Sequence, residues 1–498
     1  MIGTTRSTRS DAGMTNRTAV PVRRHARAAG RAALLAIMTL LFSAPRAADG
    51  YPLDAADQTG ISRLEAYYRA TYRLTKPTIL PSGALLPIKD IKLRLIDRPD
   101  FAIPAPDPTF GAQVVELLGE DAPYYGVAVL DITDPDAPRY AEHNGTKPQN
   151  PGSVGKILVA LAWFQALADV YPDDIEARKR VMTDTVIVAD EWTRTDHHEV
   201  PFWKPGDAMV EIRPIVEGDS GNIYTWLDWM LSSSNNSAAG LMMWQTMLLA
   251  HFGAEYPVTK AQADQWFKEA PRSELTRVYT AAIQGSVTRN GLDIKSLRQG
   301  SFFTREGKNR IPGQTYSYAT ARELVRYTVQ MEKGQLVDPF SSLEIKRLLY
   351  LTDRRIRYAS TPALNDAAVF YKSGSLYSCK QEAGFVCGKY MGNVKNYLNS
   401  LAIIETHDRW PQLDYITALL SNVLRKNSAV IHQEFGTDLH TLMEAAHPAT
   451  APPAPAAGVS DSGTDNASPP KGEGSDSANP RTNDSRPPSR TRQSPWRR

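Results

Sequence analysis

The clearest strand-like run in the chain is Tyr124–Ile132 (YYGVAVLDI), rich in β-branched and aromatic residues, and it stops at the turn Thr133-Asp134-Pro135-Asp136. Arg139–His143 is placed to return as the second strand of a hairpin, and Phe110–Leu118 ahead of it has a helical pattern. A polar loop, NGTKPQNPG, then feeds SVGKILVALAWFQALADV, whose apolar positions recur with strong helical periodicity. Thr225–Leu249 is helical again but is interrupted by the polar cluster Ser232–Ser237. Residues 258–300 read as mostly helix with polar connections, and Ala319–Lys333 as an amphipathic helix. After Ala367 the period changes to strands: AVFYKSGSLYS, GFVCGKYM and NYLNSLAIIE, followed by a final helix at Asp414–Leu424 and further helix to Ala446. Strands at both ends with a helical block between predict an α+β fold over residues 109–446, its antiparallel sheet built from both chain ends.

The two ends behave differently. Residues 1–32 carry seven arginines against one acid, Asp11; the apolar run Ala32–Ala44 and the small-residue stretch Pro45-Arg46-Ala47-Ala48 follow. Basic, apolar, then small is the secretory signal pattern, and a run of this length is short for a bilayer span. Residues 1–48 therefore read as a signal peptide for a periplasmic or secreted bacterial protein, with no stable membrane span once it is removed, although no clean A-x-A marks a cleavage site and an uncleaved anchor stays open. Residues 49–108 read as a lead-in segment with scattered prolines and one short helix near Ile61–Arg73. Residues 447–498, rich in Pro, Ala, Ser, Gly and Asp, lack the large apolar residues needed to offset ordering entropy and read as a disordered tail.

Composition narrows this little. Hydrophobic residues at 42% and charged residues at 22% are globular values, and a net charge of +3 argues against a nucleic-acid partner. The two cysteines, Cys379 and Cys387, sit symmetrically about Ala383; if the segment is a hairpin turning at Gln381–Gly384, they face each other across strands and a disulfide is possible, with two free thiols as the alternative.

Three groups of residues can do chemistry. Ser153-Val154-Gly155-Lys156 places a serine in the first turn of a helix with a lysine three residues on, on the same face; a buried lysine has its charged form disfavoured and can act as a neutral base toward a hydroxyl. Ser234-Asn235-Asn236 adds a second hydroxyl and an amide in a helical context. Lys372-Ser373-Gly374-Ser375 lies on a strand, where a lysine, a hydroxyl and a glycine can receive an acyl substrate along the strand edge.

In this order the groups resemble the S-x-x-K, S-D-N and K-T-G signatures of the serine β-lactamase and penicillin-binding protein superfamily. WLDWMLSSSNNSAAG and ATARELVRYTVQMEKGQLVDP look most similar to the class A β-lactamase branch, and the resemblance covers Phe110 to Leu424. Asn235 stands where the family has aspartate and Ser373 where it has threonine. The resemblance implies a β-lactamase/transpeptidase-like fold with an all-helical subdomain, no cofactor and no metal, a monomer, and a β-lactam or peptidoglycan-derived substrate. It implies Ser153 as nucleophile, Lys156 as its base and Ser234 as proton relay. Asn236 is then a substrate-amide contact, Lys372 and Ser373 bind a substrate carboxylate, Gly374 admits the ligand backbone, and the N–H groups of Ser153 and Ser375 form the oxyanion hole.

One family element is missing. Aligning Ile311-Pro312-Gly313 with the family's I-P puts Thr304 where the deacylating glutamate belongs and Lys308 where an asparagine belongs; Glu306, two residues late, is the weak candidate for the base. Three readings stay open: a β-lactamase, a D,D-peptidase or other amide or ester hydrolase that releases β-lactams slowly, and a non-catalytic binding protein. Two further motifs lead nowhere by pattern. Gly218-Asp219-Ser220-Gly221 has no suitable histidine partner, and Asp196-His197-His198-Glu199 lacks metal-site spacing and reads as a solvated loop.

Overall fold

A computed structural model describes residues 52–71, 80–194, 196–352 and 355–450. The signal-peptide reading of 1–48 and all of the tail from 451 onward lie outside those residues.

Five strands form the central sheet: β1 (Tyr125–Asp131), β2 (Arg139–His143), β3 (Ala367–Ser378), β4 (Lys395–Thr406) and β5 (Asp414–Asn422). Their spatial order is β2-β1-β5-β4-β3 and every neighbouring pair is antiparallel, so the sheet does join the two ends of the chain. Both faces of this sheet are covered. Ala128, Leu130, Phe370, Ile403 and Ile416 pack on one side against the helical block, while Val127, Val129, Val369, Ile404 and Tyr415 pack on the other against Phe110, Phe435 and Leu439. Double burial explains a misreading: Asp414–Leu424, expected as helix, is the central strand β5. With both faces in apolar surroundings, DYITALLSN loses the alternation that marks a half-buried strand and a continuous apolar run is left.

The connection after β3 also departs from expectation. GFVCGKYM is not a strand; residues 379–394 form an irregular loop before β4 begins at Lys395. Cys379 and Cys387 are bonded within this loop, their Cα atoms 6.2 Å apart, so the bridge closes the connection on itself instead of linking two strands.

Four helices matter for the site: α1 (Ser62–Thr71), α2 (Lys156–Val170), α3 (Ile223–Leu231) and α4 (Asn236–Phe252). α2 is buried from Lys156 through Ala168, with α4 packed along it. The segment before residue 108 is part of the body. It contains two helices, Leu53–Thr59 and α1, and Leu64, Ile88 and Leu95 join the same core as α2. Within that core the Arg63 guanidinium grips Asp228 of α3 through two hydrogen bonds of 2.6 and 2.7 Å and donates a third to the Leu351 carbonyl.

Candidate active site

The three motifs meet at one cavity of about 680 Å³ between the helical block and the edge strand β3. Ser153 lies in a 3-10 turn, Gly152–Gly155, that runs directly into α2. The turn is pressed onto β3. A Cβ added at Gly374 would stand 2.5 Å from the Ser153 nitrogen and 2.3 Å from the Pro151 carbonyl, and one added at Gly152 would stand 3.3 Å from the Ser375 nitrogen. Gly374 is required here because only a residue without a side chain lets the two backbones approach this closely. The same approach sets the N–H-bearing segments of Ser153 and Ser375 side by side, as a pair of donors to one acyl oxygen needs.

Lys156 opens α2 and is wholly buried. Its Nζ lies 2.7 Å from Ser153 Oγ and 2.7 Å from Asn236 Oδ1. Burial pushes the Lys156 ammonium down to about 7, with Asp196 pulling weakly the other way. Near neutral pH a large fraction is therefore the free amine, which can accept the Ser153 hydroxyl proton.

Ser234 and Asn236 sit where α3 hands over to α4, the break that the polar cluster Ser232–Ser237 marks. Asn235 caps α4 through Ala238 N, and Ser234 is held at φ +60°, a left-handed conformation costly for a residue with a Cβ. That conformation goes with a contact: Lys372 Nζ donates to Ser234 Oγ at 2.8 Å across the cavity. Burial, with the charges of Lys156 and Arg357 adding to it, drives the Lys372 ammonium well below its ordinary value. An anionic ligand arriving beside Lys372 would restore its proton.

Ser373 and Ser375 are held by a residue with no sequence motif. Arg357, at φ +58°, donates to Ser373 Oγ at 2.9 Å, Ser375 Oγ at 3.1 Å and Tyr390 Oη at 3.1 Å. Burial raises the Tyr390 phenol, but the Arg357 charge and hydrogen bond more than offset it and leave the phenol below its usual value. Tyr390 and Lys389 reach the wall from the disulfide-closed loop. With Lys308, Arg357, Lys372 and Lys389 against Glu199, the lining is predominantly cationic.

Glu306 is not brought to this site. It sits on the short helix Arg305–Arg310, pairs with Arg310 and is not among the lining residues. Thr304 caps that helix through Gly307 N, faces Gly240, and is likewise not among the residues lining the cavity. The residue facing Lys156 is Phe303, whose ring centroid lies 4.4 Å from Nζ. The Asp196–Glu199 segment, expected as a solvated loop, is instead part of the cavity wall: the Asp196 side chain is 3% exposed and accepts hydrogen bonds from the Asn236 and Ser237 nitrogens at 2.6 and 3.2 Å. His197 and Glu199 are exposed as expected, but Asp196 is not, because the partner that covers it lies 40 positions away. Asp219 of the other discarded motif pairs with Arg213. Gln299 completes the set that sequence reasoning missed: it is buried, it lines the cavity, and its Oε1 has no partner among the described residues.

No protein-family model matches the chain, and no curated protein matches it. Solved structures similar to it include a β-lactamase from Sphaerobacter thermophilus (14% identity, TM-score 0.43, covering 67% of this chain and 96% of that one). PBP-A is similar at 12% identity and TM-score 0.41 over 69% of this chain and 100% of its own, and a β-lactamase from Chitinophaga pinensis at 14% and 0.41 over 68% and 98%. By its own topology, an antiparallel sheet drawn from both chain ends with helices on its faces and a helical block between, the chain has an α+β fold of the β-lactamase/transpeptidase type.

Proposed function

We propose that this chain is a serine hydrolase that acylates Ser153 with a carboxylate-bearing amide, a β-lactam or a peptidoglycan-derived peptide. The observation that carries the reading is the buried Lys156 amine 2.7 Å from the Ser153 hydroxyl. Lys156 takes the Ser153 proton as Oγ attacks the carbonyl carbon. The N–H groups of Ser153 and Ser375 receive the developing oxyanion, a contribution of roughly 3 kcal/mol per donor. Ser234, linked to Lys372, passes a proton to the leaving nitrogen as the C–N bond breaks. Lys372, Ser373 and Arg357 provide the anchor for the substrate carboxylate. Asn236, tied to Lys156, is placed to hold the substrate amide. β-Lactam opening is the primary assignment. Slow release of the acyl group, as in a D,D-peptidase, is favoured by Phe303 facing Lys156 where a carboxylate would speed hydrolysis. The third reading, a non-catalytic binder, has no use for a depressed lysine against a serine. The enzyme is proposed to work outside the cytoplasm.

Mass spectrometry after mixing with a penicillin tests this. A lasting adduct on Ser153 supports the slow-release form, and rapid hydrolysis that Ser153→Ala abolishes supports the β-lactamase form. No adduct together with no hydrolysis defeats the β-lactam assignment.

A further inference from the structure

Acylation leaves an ester that water must cleave, and neither Glu306 nor Thr304 reaches it. The cavity nevertheless contains an oriented imidazole. His198 Nδ1 lies 2.6 Å from Asp196 Oδ1. A carboxylate only accepts, so this contact puts the proton on Nδ1 and leaves the lone pair on Nε2. Asp196 is buried, while the His198 side chain is about one-third exposed and lines the same cavity as Ser153. The pair is fixed from behind. Asp196 accepts from the backbone of Asn236 and Ser237, and Asn235 Nδ2 donates to the His198 carbonyl at 2.7 Å. Asn236 then joins the pair to the nucleophile's side of the site, since its Oδ1 accepts from Lys156 and its Nδ2 lies 3.4 Å from Asp196 Oδ1. Burial raises the Asp196 carboxyl, but the His198 hydrogen bond and the backbone N–H groups of Asn236 and Ser237 help to outweigh it, so the group stays ionised.

We propose that His198, oriented by Asp196, is the base that activates the water releasing the acyl group from Ser153, an assignment that rests on Ser153 being the acylated residue. The water oxygen bonds to the acyl carbon while one of its protons passes to His198 Nε2. The C–Oγ bond then breaks, that proton returns to Ser153 Oγ, and the product leaves as a carboxylic acid that ionises in solvent. The titratable groups around His198 are Asp196, His197 and Glu199 on its own segment and Lys156 behind Asn236. Across the cavity Lys308, Arg357, Lys372 and Lys389 line the same wall.

The test separates acylation from release. With the full chain and a penicillin, stopped-flow and mass spectrometry follow formation and decay of the Ser153 adduct from pH 5 to 9 in the parent, His198→Gln and Glu199→Gln. The expected result is that His198→Gln forms the adduct at a rate within about threefold of the parent, releases it about 100-fold more slowly, and loses the rise of release with pH. Added imidazole should restore release in His198→Ala, an effect that a merely structural role would not produce. Unchanged release in His198→Gln, or transfer of the pH limb to Glu199→Gln, overturns the assignment and leaves acylation intact. Absence of any adduct or hydrolysis in the parent removes the acylation reading and this one with it.

Discussion

The Phe303 ring centroid lies 4.4 Å from Lys156 Nζ, putting an aromatic face against the amine that contacts the Ser153 hydroxyl. A ring there shields one side of the acyl-enzyme from water and offers no general base. Phe303→Glu should shorten the life of a penicillin adduct at least tenfold, because positioned general bases typically contribute about 100-fold or more. The new carboxylate would also favour the charged form of Lys156, so the pH limb of acylation should move upward. Phe303→Leu, which keeps the site apolar, should do neither. Adduct decay measured across the two variants checks this.

Acylation itself should depend on pH through Lys156. Only the free amine can accept the Ser153 proton, and burial has brought its pKa down to about 7. Acylation should therefore rise with pH through 7 and level off above about 8, falling to about one-tenth of the plateau at pH 6. Lys156→Met should remove the limb and most of the rate. The sign for stability follows the same shift: between about 7 and the ordinary lysine value the unfolded chain binds more protons, so the fold should gain stability as pH rises through that window. Thermal melts at pH 7 and pH 9 of the parent and Lys156→Met read out that difference.

What the sequence makes legible follows from where each signal resides. Ser153, Lys156, Ser234 and Lys372 are readable because their chemistry rides on short spacings and on helix or strand starts. The structure brings all four together. Arg357 and Tyr390 are not readable, since their roles depend on positive φ values and on a loop folding back over β3. Asp196 is hidden for a related reason, because it is buried by α4, not by its neighbours in sequence. Phe303 was one position from the alignment's choice: Thr304 turned to cap a helix, and a one-residue offset in an irregular loop carries no periodic signature. For β5 the failure is physical too, because burial on both faces removes the alternation a strand would otherwise display.

The Arg63–Asp228 pair should prove a strong anchor for the N-terminal helices. Both side chains are at most 1% exposed, and removing the arginine takes two short charge-assisted hydrogen bonds from a buried carboxylate. Arg63→Ala should cost about 3–5 kcal/mol. The double replacement Arg63→Met with Asp228→Leu should cost much less, because both buried charges are then removed together. Denaturant unfolding of the single and double variants measures the difference, and equal losses in the two would mean that packing, not charge, sets the cost.

Ser234 allows function to be separated from stability at one position. At φ +60° any residue with a Cβ is strained by roughly 1–2 kcal/mol, whereas glycine is not. Ser234→Ala and Ser234→Gly both remove the hydroxyl that Lys372 contacts, so both should slow acylation by about 100-fold if Ser234 relays a proton. Their stabilities should diverge: the glycine variant loses the strain, set against about 0.5–1 kcal/mol of added unfolded-state entropy, and should melt at or above the alanine variant. Equal acylation rates in the parent and both variants would show that the strained conformation serves packing alone. A rate loss confined to Ser234→Gly would instead mean that the held backbone, and not the hydroxyl, is what the reaction uses.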